Sequence, residues 1–252
     1  MMRDKRGANV RVFEDLEALS RAAAEEFSNL AKQKAGAGTA FTAALSGGST
    51  PKEFYQLLAT PEFSATTPWL NIHLFQVDER CVPADSPQSN YKMIREAMLD
   101  QIPMALSNFH RIPAEEADRE SASDRYAADL RRTVGASQAQ WPQLDLLYLG
   151  MGDDGHTASL FPGTAALEEN TRAVCPNWVE KLSMWRITLT RPVLNAAARV
   201  IFMVSGAQKA EMLRQVLQDV RDSPRFPAQL IHPENGTLAW YLDRSAASLL
   251  SS

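Results

Sequence analysis

Apolar residues fall in short runs along the chain, and most runs lead through a polar turn into residues at helical spacing. Asn9-Val-Arg-Val-Phe13 predicts a strand, and Leu16, Leu19, Ala23, Phe27 and Leu30 predict an amphipathic helix over 15–33. After Ala35-Gly-Ala-Gly-Thr39, the small apolar residues of 40–45 read as a strand buried on both faces, followed by Ser46-Gly-Gly-Ser-Thr-Pro51 and a helix over 52–59. The pattern recurs: a strand at 72–77 with a helix near 90–99, a helix over 119–134, and a strand at 144–149. The last third predicts strands at 185–189, 200–204 and 238–242, with a short helix at 192–197 and a long one at 207–220. Alternating strands and helices predict an α/β fold, a three-layer α/β/α sandwich around a mostly parallel sheet. No linker, low-complexity tract or internal repeat divides it, so residues 1–252 are expected to form one domain.

In such sheets ligands bind beyond the carboxyl ends of the strands. Four polar turns stand there: Ser46 to Thr50, Asp78 to Arg80, Gly150 to Thr157 and Ser205 to Lys209. Each alone is equally well explained as a connection; the four together indicate one shared site. In the first, Thr50 is placed to N-cap a helix, with Pro51 in its first turn and Glu53 at capping-box spacing. Gly47 and Gly48 would let backbone N–H groups approach a phosphate at the positive end of that helix. The spacing fits neither the P-loop nor the dinucleotide fingerprint, and no nucleotide cofactor is indicated.

The third turn carries Gly150-Met-Gly-Asp-Asp-Gly-His156. Gly155 breaks the spacing of a dinucleotide turn, whereas His156 could take a proton from water near neutrality, with Asp153 or Asp154 orienting it. The structural alternatives are a solvated or helix-capping histidine and a capping aspartate. Asp78-Glu79-Arg80 reads either as a solvated charged turn or as an acid and a guanidinium for hydroxyls or an anion. Arg186, between Trp185 and Ile187 in a strand, must find a partner or emerge at a cleft. With Lys209 it would create a local cationic pocket.

That pocket matters because the chain as a whole has 26 basic and 30 acidic residues, a formal charge of −4. No basic field invites nucleic acid or an anionic membrane. Arg3, Lys5 and Arg6 are followed by no apolar leader core, and no run is long enough to span a membrane. Cys81 and Cys175 follow no paired or zinc spacing. A reduced, cytoplasmic protein without metal is expected. Serine-hydrolase chemistry is disfavoured because no G-x-S-x-G elbow occurs, and His73, His110 and His232 are isolated in sequence.

Leu45-Ser-Gly-Gly-Ser-Thr-Pro51, Val77-Asp-Glu-Arg80 with Ser89-Asn-Tyr91, Gly150-Met-Gly-Asp-Asp-Gly-His-Thr-Ala-Ser-Leu-Phe-Pro162, Arg186-Ile-Thr-Leu-Thr190 with Pro192-Val-Leu-Asn195, and Ser205-Gly-Ala-Gln-Lys-Ala210 resemble the blocks of the 6-phosphogluconolactonases, in that family's order. Pro227-Ala-Gln-Leu-Ile231 and Trp240 resemble its C-terminal end. The resemblance implies a Rossmann-like sheet and cofactor-free hydrolysis of 6-phospho-D-glucono-1,5-lactone, a small-molecule phosphosugar, by a monomer or homodimer. It implies His156 as general base, with Asp154 or Asp78 to support it. Gly47, Gly48, Ser49, Thr50, Arg186 and Lys209 would hold the phosphate, and Arg80 and Asp78 would contact the sugar or developing charge. Backbone N–H groups of Gly150 and Gly152 become candidates for the oxyanion. Two rivals are an amino-sugar-phosphate deaminase or isomerase and a non-catalytic sugar-phosphate sensor. The deaminases resemble Asp-Glu-Tyr and His-Ile-Ala-Phe-Asn, where this chain has Asp78-Glu-Arg80 and His156-Thr-Ala-Ser-Leu-Phe161. A sensor would need a DNA-binding module for which no segment is left.

Overall fold

A run of apolar residues makes a doubly buried strand when alternate side chains find two separate cores, and this chain builds both. The computed structural model describes residues 2–3 and 7–251; Lys5 and Arg6, and the side chain of Arg3, lie outside the described residues. In chain order the elements are β1 (Met2–Arg3), β2 (Asn9–Phe13), α1 (Leu16–Gly36), β3 (Phe41–Leu45), α2 (Ser49–Leu58), α3 (Pro61–Ser64), β4 (Ile72–Gln76), β5 (Asp78–Arg80), α4 (Asn90–Ala97) and β6 (Phe109–His110). Then come α5 (Arg119–Val134), β7 (Leu146–Leu149), β8 (Val174–Val179), β9 (Met184–Leu189), α6 (Arg191–Ala196), β10 (Arg199–Val204), α7 (Ala210–Gln218) and β11 (Thr237–Asp243).

The central sheet runs β1-β2-β11-β10-β7-β3-β4-β6, parallel throughout except for the β1–β2 pair. Phe41, Ala43 and Leu45 of β3, Leu146 and Tyr148 of β7, and Ile201 and Met203 of β10 pack with Phe27 of α1, Phe54 and Tyr55 of α2 and Ile94 of α4. Their neighbours Ala44, Leu147, Leu149, Val200, Phe202 and Val204 pack on the opposite face with Tyr126 and Leu130 of α5, Leu194 of α6 and Leu213 and Val216 of α7. Helices therefore cover both faces, giving the expected three layers.

The sequence-predicted elements are recovered, with four differences. Asp78 to Arg80 is not a free turn: it forms β5, which pairs antiparallel with β9, and β9 pairs with β8, in a separate three-stranded sheet. Strand 185–189 thus leaves the parallel layer, and its partner β8 was not foreseen, because Pro176 and the polar Asn177 interrupt its apolar pattern. Thr50 is not an N-cap: α2 begins at Ser49, after Gly48 at φ +116°. Absence of a side-chain cap there leaves the first turn of α2 open to a ligand. The expected long helix at 207–220 is a 3-10 turn, Ala207–Lys209, followed by α7.

The second sheet is joined to the first through Val77. Its N–H donates to Leu45 O at 3.0 Å and its carbonyl accepts from Leu189 N at 2.9 Å, so β5 and β9 stand over the carboxyl ends of β3 and β7. Beside this junction the Tyr126 hydroxyl both donates to Gln76 O at 2.7 Å and accepts from Gln76 N at 2.8 Å. Both backbone groups are buried, and phenylalanine would leave them unpaired. Tyr126→Phe is expected to cost about 1–3 kcal/mol, measured as a lower urea midpoint at unchanged slope.

Candidate active site

The four strand-end turns meet in one cleft of about 210 Å³. Gly47, Gly48, Ser49, Thr50, Asp78, Arg80, Gly150, Gly152, His156, Arg186 and Lys209 all line it. Asp154 stands behind His156 rather than on the wall. The cleft lies at the carboxyl ends of β3, β7 and β10, closed on one side by the second sheet.

His156 is held on three sides. Its Nδ1 lies 2.6 Å from Asp154 Oδ1, which also accepts the His156 backbone N–H at 3.1 Å, and its ring stacks on Phe161 with centroids 3.9 Å apart. Gly152 makes this possible, since a Cβ there would stand 2.0 Å from Nδ1. With Nδ1 committed to Asp154, Nε2 is the nitrogen left for a ligand. Burial pushes the imidazole's pKa down to about 4; Asp78 and Asp153 oppose the shift, and Arg186 and Lys209 add to it. The ring is therefore neutral at pH 7 and able to accept a proton. Asp154, and not Asp78, is the carboxylate that contacts it.

Asp78 is tied elsewhere. Ser159 Oγ donates to its Oδ2 at 2.6 Å, Asn90 Nδ2 donates to its carbonyl oxygen at 2.9 Å, and Arg186 Nη1 lies 3.7 Å from Oδ2. Arg186 sits with its guanidinium 5.4 Å from the Phe161 ring centroid, and its buried Nε has no hydrogen-bond partner. Burial lowers its pKa, with Asp78 opposing. A guanidinium desolvated this far and only partly satisfied favours an anion. Arg80 donates from Nη1 to Gln88 O at 2.7 Å, and its buried Nε is likewise unpartnered. Lys209 is paired with Asp153, whose carboxylate it holds below its ordinary pKa. A substrate anion there would compete with an exposed aspartate.

One expectation fails. The Gly152 N–H donates to the His156 carbonyl oxygen at 2.8 Å and so is not available to an oxyanion. The glycine serves instead as space for the imidazole.

Two supporting acids, Glu79 and Asp243, had no role of their own in the sequence reading. Glu79, 3% exposed, accepts from Gln76 Nε2, Ser89 Oγ and the backbone N–H groups of Arg80, Asn90 and Tyr91, all at 2.7–3.1 Å. It thereby joins β5 to the start of α4 and delivers Asn90 to the cleft, where a Cβ on Gly47 would clash with the Asn90 carboxamide at 1.7 Å. Asp243 accepts from Ser205 Oγ at 2.6 Å and from Gly206 N, fixing the loop that leads to Lys209. Glu79 stood in the sequence only as part of the Asp78-Glu-Arg80 motif, and Asp243 had no signal beyond its position at the end of an apolar strand.

The model of the family described as glucosamine-6-phosphate isomerases/6-phosphogluconolactonase matches residues 14–240. A 6-phosphogluconolactonase of Nostoc sp. is 41% identical over 211 residues, covering 84% of this chain and 85% of the relative. One from Synechocystis sp. is 41% identical over 209 residues, 83% of this chain and 84% of the relative. The solved structure of 6-phosphogluconolactonase from Trypanosoma brucei superposes with a TM-score of 0.84 at 27% identity, over 97% of this chain and 99% of that one. By this family match and this identity over most of its length, the protein belongs to the glucosamine-6-phosphate isomerase/6-phosphogluconolactonase family.

Proposed function

We propose that this chain is a 6-phosphogluconolactonase: it hydrolyses 6-phospho-D-glucono-1,5-lactone to 6-phospho-D-gluconate, the second step of the oxidative pentose phosphate pathway. The observation that carries the reading is a neutral, Asp154-bound His156 opening onto the same cleft as an uncapped helix N-terminus and two underpartnered arginines. The names of the relatives support it. We place the enzyme in the cytoplasm as one catalytic domain; no helix among the described residues is long and apolar enough to cross a membrane.

In the proposed reaction the phosphate rests on the turn into α2, from Gly47 to Thr50, with Lys209 and Arg186 supplying charge. Anchoring this remote group brings the lactone carbonyl to His156. Nε2 takes a proton from water as its oxygen bonds to the carbonyl carbon, and the resulting oxyanion faces the cationic Arg80 side. Collapse of this intermediate breaks the bond to the ring oxygen, which recovers the proton from His156. A lactone is an activated ester, so these steps need no cofactor.

Asp78 bears on the rival reading. A deaminase or isomerase would need a carboxylate free to remove a carbon-bound proton, and Asp78 is instead engaged by Ser159 and Arg186.

Purified protein is expected to accelerate loss of freshly made phosphogluconolactone above its spontaneous hydrolysis, without added metal or nucleotide. Equal rates with and without protein would sink the assignment, and ammonia release from glucosamine 6-phosphate would favour the rival. His156→Ala should lower kcat by about 10²–10⁴. Gly152→Ala, by displacing the imidazole, should cost about 10².

Lys209→Ala should narrow the preference for the phosphorylated over the unphosphorylated lactone; an unaltered ratio would place the phosphate elsewhere. The His156 ring protons, followed by NMR from pH 8 downward, should titrate near pH 4. The unfolded chain protonates this group near its ordinary 6.5. Any stability linked to the neutral ring is therefore lost as pH falls through that interval. A midpoint near 6.5 in the folded protein would contradict the buried, neutral base.

A further inference from the structure

The carboxylate that orients His156 poses an electrostatic problem. An anion 2.6 Å from an imidazole nitrogen favours the imidazolium, and an imidazolium cannot accept a proton. Asp154 nevertheless stands against a ring that is neutral at pH 7. The turn between β8 and β9 offers the resolution. Glu180–Leu182 forms a 3-10 turn ended by Ser183 at φ +47°, and from it Lys181 extends back to the catalytic loop, where its ammonium pairs with Asp154 Oδ2. The acidic neighbour on the same turn does not compete, because Glu180 Oε2 accepts from the Trp178 indole N–H at 2.6 Å.

The Asp154 carboxylate is thus bridged, with Oδ1 on His156 and Oδ2 on Lys181. Lys181 Nζ also lies 5.1 Å from the centroid of Phe161, the ring on which His156 stacks. Histidine, aspartate, lysine and phenylalanine form one contiguous group drawn from two parts of the chain.

We infer that Lys181 is a positioning residue for the lactone hydrolysis. Reaching from the β8–β9 turn, it holds Asp154 in place on His156 and offsets that carboxylate's charge, so that Asp154 orients the imidazole without forcing a proton onto it. The inference deepens the functional reading above and rests on His156 being the base. Asp78 from β5, Arg186 from β9, Asp153 from the same loop and Lys209 before α7 also act on the ring and stay unchanged when Lys181 is replaced. Of these, Asp153 is itself paired with Lys209. Lys181 is the cation that answers Asp154. Its side chain is 52% exposed, so substitution should not unfold the protein.

The test is an NMR titration of the His156 ring protons in full-length wild type, Lys181→Met and Lys181→Arg, with His156→Gln assigning the resonance among the four histidines. Melting by circular dichroism would verify that each variant is folded. Methionine retains the length of the side chain and removes its charge, and should move the His156 midpoint upward by about half a pH unit or more. Arginine should leave it within about 0.2 unit of the wild type. A smaller or downward shift in Lys181→Met, or an equal shift in Lys181→Arg, would overturn the inference. The titration needs no substrate, so it stands even if the wild type proves inactive on the lactone, a result that would instead overturn the functional reading.

Discussion

A buried carboxylate must be paired, and the pairing of Asp78 is the constraint on which the cleft depends. Asp78 is 5% exposed, just beyond the point where β4 leaves the parallel sheet. Its carboxylate gathers Ser159 from the His156 loop and Arg186 from β9, and its carbonyl oxygen gathers Asn90 from α4. Removing Ser159 or Arg186 would leave charge in a poorly solvated place, and removing Asn90 would leave the buried Asp78 carbonyl short of its donor. The three elements are therefore tied to one another at the edge of the cleft.

Glu79 extends the arrangement by a residue. Its side chain is saturated by five donors, which set the start of α4 and the backbone of Arg80. Adjacent acids thus serve opposite sides of β5, in keeping with the alternation of a strand. The motif that resembles a solvated turn in one dimension is instead the hinge between two sheets. Ordering the site in advance suits a reaction whose catalysis depends on holding a carbonyl beside a base and a water.

The loop that carries His156 shows how much can rest on glycine. Gly152 leaves room for the imidazole, and Gly155, at φ +76°, turns the chain where a Cβ would press on Phe226. The loop then delivers His156 onto Phe161 and Asp154 onto Lys181. An imidazole held by a carboxylate stays neutral only where its surroundings deny it a proton, and burial against Phe161 with the positive charges of Arg186 and Lys209 does so here.

Much of this was legible in the chain. The largely apolar runs of 40–45, 144–149 and 200–204 specify strands buried on both faces, because apolar residues do not alternate with polar ones through them, and the turns that follow must lie at the same end of a parallel sheet. His156, the Gly47-Gly48 turn, Arg80, Arg186 and Lys209 could therefore be placed in one site before any contact was known. What the sequence left open was decided by tertiary structure. The choice of Asp154 over Asp78 for His156 and the loss of the Gly152 N–H to a carbonyl follow from the conformation of one loop, while the placement of the last strand β11 between β2 and β10 and the approach of Lys181 depend on contacts across the fold. The spacing of residues along a chain encodes which face or end of an element they share. Which partner a charged group meets is set by packing between elements, and no local period records it.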